Sequence, residues 1–402
     1  MTAEILDRGM MDATGSTVPA RREAVARGAT LARLVLTDFR SYARAEFSFD
    51  GRPVTLTGDN GAGKTNLLEA ISLLSPGRGL RGVPYADLAR VQGAGGWAVA
   101  AALDTKWGPL RIGTGIEPHK AETARSRTVR IDGEAATGSG ALADHLRIVW
   151  LTPAMDRLFM EAAGERRRFL DRIVMGFDPA HGRRANAYER ALRERNRLLA
   201  DNVREPGWLS GLEEQMAEHG VALAAARVET IARLKGAFEA ATESAFPRAA
   251  IALEGTLESE LAEHAAVEVE DRFLRRLAET RARDAAAGRS LEGPHRSDLL
   301  VRHAAKDQEA RLCSTGEQKA LLIGIALANA RLLAARGHPP LLLLDEVAAH
   351  LDETRRAALF DEIVELGLQA FMTGTDRALF TAFGSRAQGF CVERSTATPL
   401  DD

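Results

Sequence analysis

The stretch Gly58-Asp59-Asn60-Gly61-Ala62-Gly63-Lys64-Thr65 carries the plainest chemistry in the chain. It fits G-x-x-x-x-G-K-[ST], a loop built to cradle phosphates. Glycines let backbone N–H groups approach phosphate oxygens with no Cβ in the way. Lys64 offers a point charge to β- and γ-phosphates, and Thr65 offers a hydroxyl to Mg²⁺. A second pair of reactive groups, Asp345-Glu346, ends the apolar run Leu341-Leu342-Leu343-Leu344. Such a run delivers Asp345 to the carboxyl end of a buried strand. In nucleoside triphosphatases that position supports the metal, and an adjacent acid such as Glu346 polarises the attacking water. The third stretch, Ser314-Thr315-Gly316-Glu317, opens a helix. Ser314 reads as its N-cap, with Glu317 in capping-box position, and a free helix N-terminus with a glycine can also hold an anion.

Elements of the right kind surround these residues. The run 53–57 reads as a buried strand entering the loop, and 66–74 as an apolar-faced helix leaving it, its positive end toward the phosphates. Strands are expected at 31–37, 45–49, 97–103, 110–116, 128–134 and 148–151, with a tight turn at Asp132-Gly133. Long helices are expected at 165–200, rich in arginine, and at 208–246, ended by Pro247. They read as a helical hairpin. A third helix is expected at 272–287, after a strand at 250–253. The helix from Ser314 to Ala335, then strands at 340–346, 370–375 and 390–393, return to α/β character. The expected fold is α/β, a mixed sheet with an antiparallel subdomain and an inserted helical arm. Its divisions are an extension at 1–29, an ATPase lobe at 30–152, the arm at 153–288 and the rest of the lobe at 289–396.

Composition narrows the partners. A chain of 402 residues with 45% hydrophobic and 27% charged residues is ordinary for a globular protein. A net charge of −3 gives no overall basic field, so any nucleic-acid contact must come from a local patch or an assembled dimer. Cys313 and Cys391 lack metal-ligand spacing, which favours free thiols in a reducing, cytoplasmic compartment. No apolar run reads as long enough to span a bilayer, so no membrane partner is expected. The first 29 residues are polar, lack an apolar core for a secretory signal and are expected to be disordered. Arg166, Arg167, Arg168, Arg172, Arg183 and Arg184 crowd the start of the arm. They form either a phosphate-neutralising patch or a solvated helix face laced with glutamates.

The order of phosphate loop, arm, Ser314 helix and acidic strand resembles the ABC-type ATPases of the SMC and Rad50 group. Within that group, 38–42, 58–71, 165–171, 188–196, 293–299 and 373–376 are similar to the RecF family of bacterial recombination mediators, and the likeness runs from about Leu31 to Val392. The resemblance implies a set of roles. Gly58, Asp59, Asn60, Gly61, Ala62, Gly63, Lys64, Thr65 and Asn66 would hold ATP, with Arg40 and Ser41 approaching it from the first sheet. Thr65 and Asp345 would serve Mg²⁺, and Glu346 would be the base. Ser314 and Gly316 would act on the nucleotide of a partner subunit, with Asp352 at the dimer interface. Thr375 stands where a γ-phosphate-sensing histidine is usual, and Glu317 where glutamine is. The resemblance further implies ATP-driven dimerisation, double-stranded DNA and strand junctions as ligands, and slow hydrolysis. It implies work with RecR and RecO in directing RecA to gapped DNA and in SOS induction. Arg166, Arg167, Arg183 and Arg184 are the candidate DNA contacts. A chromosome-tethering head of the SMC kind is the alternative, but it needs sustained heptads that this short arm lacks.

Overall fold

A computed structural model describes residues 28–120, 124, 126–201, 206–240 and 244–400. The extension expected to be disordered lies almost wholly outside the described residues, as does most of the turn between the two long arm helices. Two compact units are present, 1–155 with 329–402, and 156–328.

The first unit opens with an antiparallel hairpin, β1 (Thr30–Phe39) and β2 (Tyr42–Ser48), followed by β3 (Val54–Thr57) and α1 (Lys64–Ser72). Next come β4 (Trp97–Thr105), β5 (Gly108–Ile116), β6 (Thr128–Ile131) and β7 (Glu134–Ala135). They extend the hairpin into a sheet ordered β2-β1-β4-β5-β6-β7. Asp132 and Gly133 both take positive φ, 48° and 87°, the left-handed pair that a two-residue hairpin loop needs. β8 (Ile148–Leu151) ends this half; only Leu151 of its four residues is buried, because β8 is an edge strand.

The second unit begins with α2 (Ala163–Phe177), α3 (His181–Ala200) and α4 (Pro206–Ala240). The single helix expected over 165–200 is two. Pro179 disfavours helix at the residue before it, and Asp178 is extended, with φ −125° and ψ 95°. After β9 (Ala249–Glu254) come α5 (Thr256–Glu260), α6 (Ala266–Glu279) and α7 (Arg281–Ala287). The helix expected over 272–287 therefore starts earlier and breaks at Thr280. β10 (Asp298–His303), beyond the division expected at 288, pairs with β9 before it, and β11 (Gln308–Glu309) completes this sheet.

A buried arginine organises the second unit. Arg195 on α3 is fully buried and gives Nε to Glu213 (3.0 Å), Nη1 to Asp284 (2.8 Å) and Ser290 (2.7 Å), and Nη2 to the Leu277 carbonyl (2.7 Å). One side chain thus ties α3 to α4, α6 and α7. Nearby, Tyr188 Oη lies 2.7 Å from His295 Nδ1, and His295 Nε2 lies 3.1 Å from the Ser290 carbonyl. A carbonyl can only accept, so Nε2 carries the proton and Nδ1 accepts from the tyrosine. Gly293 has φ 126°, and a Cβ there would sit 2.3 Å from Tyr188 Oη. The stretch 293–295 therefore bolts this loop to α3.

Burial holds the His295 pKa below its ordinary value, with Arg296 and Arg167 adding to the depression. The folded state favours the neutral ring while the unfolded chain takes up a proton. Stability should therefore be level above about pH 6.5 and fall as pH drops below it. Urea titrations from about pH 8 to 5 should show a flatter acid limb for His295→Gln than for the natural chain.

α8 (Thr315–Ala335) carries the chain from the second unit into the first. Contrary to the expectation of no membrane-length run, α8 is long and apolar enough to cross a bilayer by length and composition. Of its most apolar window 72% is buried in the protein, which is the ordinary use of a core helix. The first unit then resumes with β12 (Leu341–Leu344), α9 (Glu353–Glu365), β13 (Ala370–Gly374), β14 (Gln388–Glu393) and β15 (Thr396–Pro399). The second sheet of this unit is ordered β15-β14-β3-β13-β12-β8, parallel except at β15. All four leucines of β12 are buried, as a parallel strand covered on both faces requires.

One apolar core joins α1, Leu34 and Leu36 of β1, Leu56 of β3 and Leu343 of β12. Phe49 meets Phe371 edge-on at 5.1 Å and Phe390 at 5.9 Å, packing the end of the first hairpin against β13 and β14. Arg127, buried, holds the end of α1. Its guanidinium donates to the carbonyl oxygens of Leu73 and, at 2.6 Å, Ser75, where a helix C-terminus favours a cation. Burial lowers its pKa to about 10.

Candidate nucleotide site

The loop 58–65 lies at the carboxyl end of β3, flanked by β13 and β14, where parallel α/β sheets bind ligands. Gly58, Gly61 and Gly63 take φ of 142°, 83° and 116°. Asp59, Asn60 and Gly61 form an exposed crown, while Ala62, Gly63 and Lys64 are buried. Two clamps hold the loop from outside. Tyr42 Oη donates to the Gly63 carbonyl at 3.1 Å, and the Ser395 N–H donates to the Ala62 carbonyl at 2.8 Å. The C=O and N–H of a trans peptide point opposite ways, so the N–H groups of Gly63 and Lys64 are turned away from the clamps. Close approach also fixes the glycines. A Cβ at Gly58 would lie 2.1 Å from the Val392 carbonyl, and one at Gly63 2.9 Å from Tyr42 Oη.

Lys64 Nζ donates to the carbonyls of Gly58 (2.5 Å) and Asp59 (2.8 Å). Burial lowers its pKa, and the charges of Glu346, Asp345 and Asp59 oppose that shift. Three acids therefore share the field of this one ammonium.

Thr65 Oγ1 donates to Asp345 Oδ1 at 2.9 Å. Thr373 Oγ1 donates to the same oxygen at 2.8 Å and accepts from the Glu346 N–H at 2.8 Å. With its proton spent on Asp345, the Thr65 oxygen keeps its lone pairs for a hard cation. Among the described residues no group of three His, Cys, Asp or Glu could hold a metal. Thr65 and Asp345 would suit Mg²⁺, which is commonly held by one or two protein groups beside substrate phosphates rather than by a closed protein cage. Glu346 has φ 55°, a left-handed conformation rare for this residue type and often kept where function requires it.

Thr373 is the participant that sequence reasoning passed over. The parallel register pairs Leu344 with Met372, so the next residues, Asp345 and Thr373, face each other. A hydroxyl one step past the register of the acidic strand is the signal that could have found it. Thr375, the residue singled out instead, is exposed beyond the end of β13. Thr373→Val should leave ATP affinity without metal unchanged and raise the Mg²⁺ concentration needed for half-maximal turnover about 10- to 100-fold. A metal titration of hydrolysis checks this.

The other expected site residues make contacts of their own within the chain. The Arg40 guanidinium, expected beside the nucleotide, forks onto fully buried Glu69 of α1 at 2.7 and 2.8 Å and donates to the Asp87 carbonyl at 2.8 Å. Burial of Glu69 requires that partner. Arg81 reaches Glu69 (2.8 Å) and Asn66 (3.0 Å), and Asn66 donates to Ser41 at 2.9 Å. Arg40, Ser41 and Asn66 thus form one polar network at the start of α1. In the second unit, Ser314, Thr315 and Gly316 are exposed at the start of α8. The Ser314 N–H and hydroxyl both donate to Glu317 at 2.9 Å, a capping box. Lys306 also bonds Glu317 and, with Ser314, holds its carboxyl down at about 2. Asp352 caps α9, accepting from the Arg355 N–H at 2.8 Å.

Of the arginines expected to meet DNA, Arg166 is forked onto Asp298 at 2.7 Å through two bonds, and Arg167 donates to the Ser297 carbonyl at 2.6 Å. Both side chains serve the fold of the second unit, because buried or half-buried guanidinium groups need such acceptors. Arg184 pairs with Asp178, while Arg183 is exposed with no partner among the described residues.

The RecF/RecN/SMC N terminal domain family matches residues 30–396. The chain is 58% identical over 365 residues to the DNA replication and repair protein RecF of Rhizobium etli, covering 90% of this chain and 97% of that one. It is 55% identical over 374 residues to RecF of Mesorhizobium japonicum, covering 92% and 98%. Among solved structures, the recombination mediator protein RecF with ATP, of the RecFOR pathway, superposes with a TM-score of 0.79 at 22% identity, over 95% of this chain and 100% of that one. The Smc head domain from Pyrococcus furiosus, bound to the C-terminal domain of ScpA, superposes at 0.52 and 17% identity, over 92% and 96%. These likenesses share the ABC-type ATPase head fold. With its phosphate loop, acidic strand and near-complete match to these relatives, the chain belongs to the RecF family of DNA replication and repair proteins.

Proposed function

We propose that this chain is an ATP-switched DNA-binding protein that dimerises on ATP, hydrolyses it slowly and acts in recombinational repair. The reading rests on the part-buried chain of hydroxyls and acids, Thr65–Asp345–Thr373–Glu346. In this reading Lys64 leaves the carbonyls of Gly58 and Asp59 for β- and γ-phosphate oxygens. Thr65 and Asp345 hold Mg²⁺, which when bound neutralises phosphate charge. Glu346 takes the proton of the attacking water. Ser314 and Gly316, exposed in the second unit, meet the nucleotide of a second copy, and Asp352 lies at that contact. ATP is then the glue of a homodimer, and hydrolysis releases it.

The inserted arm at 153–288 supplies the DNA surface. Arg183, Arg190, Arg193 and Arg197 are exposed on α3 at spacings that return to one helix face. They span about 21 Å, enough to track the phosphates of one strand. Arg193 and Arg197 pair with Glu189 and Glu194 in exposed contacts that cost little to exchange. This stripe replaces Arg166 and Arg167. Double-stranded DNA and its junctions with single strands are the ligands, and RecR with RecO are the partners through which RecA reaches gaps and the SOS response is induced. The place of action is the cytoplasm.

The test is DNA affinity with ATP present. Arg190→Glu with Arg193→Glu should weaken duplex binding at least tenfold and lower the slope of log K against log salt by about 2. ATP-driven dimerisation should persist. An unchanged slope would move the DNA surface off α3.

A further inference from the structure

Three loops of the first unit, with the residues just before β1, converge at the end of its parallel sheet away from the phosphate loop. β8 and β12 run parallel to β13, and β13 to β3, so the segments entering β8 and β12 lie at the opposite end from 58–65. The separation is about 13 Å, the length of a four-residue strand. Asp144, His145, Arg147 and residues 337–339 line a small pocket there with the tip of the β4–β5 hairpin, 105–107, and with Gly28 and Ala29 before β1.

The lining is basic and carries one flat ring. Trp107 is 79% exposed, and Lys106 Nζ sits 4.3 Å from its ring centroid. His145, Arg147 and His338 also line it, with Asp144 the one carboxylate among the described lining residues. Burial lowers the pKa of His338, and the charges of Arg147, Lys106 and Arg336 lower it further. Groups from all three loops therefore share one positive field. Helix capping accounts for part of this. Arg336 and His338 follow the C-terminus of α8, where Gly337 has φ 78° and cations are favoured. It does not account for Lys106 and Arg147, which come from the other two loops, or for an indole set at a hairpin tip beside them.

We propose that this pocket binds an unpaired nucleotide of a nucleic-acid strand, its base stacked on Trp107 and its phosphates among Lys106, Arg147 and His338. Every base offers a π-face, so such a platform tolerates any sequence, and the surrounding cations follow the backbone. An acidic peptide would meet the same charges, but its carboxylates gain nothing from the face of the indole, whereas every nucleotide carries a ring to stack there. The site needs neither ATP nor a second copy of the chain, so it stands or falls apart from the ATP-switched reading.

The test uses the full chain without ATP and an oligothymidylate of about ten nucleotides carrying one 5-iodouracil. Irradiation should cross-link it to the peptide containing Trp107. Trp107→Ala should lose about tenfold in affinity and Trp107→Phe should regain most of it. Lys106→Gln should lower the salt slope by about 0.7. ATP-driven dimerisation should be unchanged in all three variants, which also reports that they fold. Cross-links that avoid 105–107, 144–147 and 337–339, or full affinity in Trp107→Ala, would overturn the proposal. Equal displacement by polyglutamate of matched charge, with no effect of Trp107→Ala, would overturn it in favour of an acidic peptide.

Discussion

Glu346→Gln should slow ATP turnover about 100- to 10,000-fold while leaving ATP affinity close to that of the natural chain. The substitution keeps the shape of the side chain and removes only its ability to take a proton. The surroundings are unaltered, because the bond from residue 346 to Thr373 is made by the backbone N–H, at 2.8 Å. The left-handed φ of 55° belongs to the backbone as well. Asp345 retains its bonds from Thr65 and Thr373, so the metal side of the site is preserved. Single-turnover phosphate release measures the rate, and nucleotide titration measures the affinity. A variant that hydrolyses ATP within tenfold of the natural rate would remove Glu346 from the chemistry.

Arg195→Ala should cost the second unit about 3–5 kcal/mol, because it leaves the Asp284 carboxylate buried with no opposing guanidinium. Asp284 loses its 2.8 Å partner, and Glu213, 1% exposed, keeps only Arg281. Arg195→Lys should recover little, since an ammonium cannot reach Glu213, Asp284, Ser290 and the Leu277 carbonyl from one plane. Thermal and urea unfolding of the full chain provide the check. A loss below about 1 kcal/mol would mean that the network is redundant.

The parts of this protein legible in its sequence are those whose signal is local. The phosphate loop declares itself by spacing alone, and the acidic strand by four leucines before Asp345. The Asp132-Gly133 turn and the α8 capping box belong to the same class. What escaped was non-local. Arg166 and Arg167 read as surface charge because their acceptors, Asp298 and Ser297, lie some 130 residues further on. The pairing of Arg40 with Glu69 was not visible, because nothing nearby in sequence shows that Glu69 is buried and needs a cation. Thr373 gains its place from strand register, 28 residues from Asp345. One miss was local after all. Pro179 marks the break between α2 and α3, and the weight of arginine and leucine on either side obscured it.

In the proposed switch, ATP joins two copies of this chain through the exposed start of α8. Light scattering of Glu346→Gln with and without ATP tests it most directly. A monomer is expected without nucleotide and twice that mass with ATP, the second species disappearing when Ser314→Arg is added. A chain that binds ATP and stays monomeric at every concentration tested would contradict it.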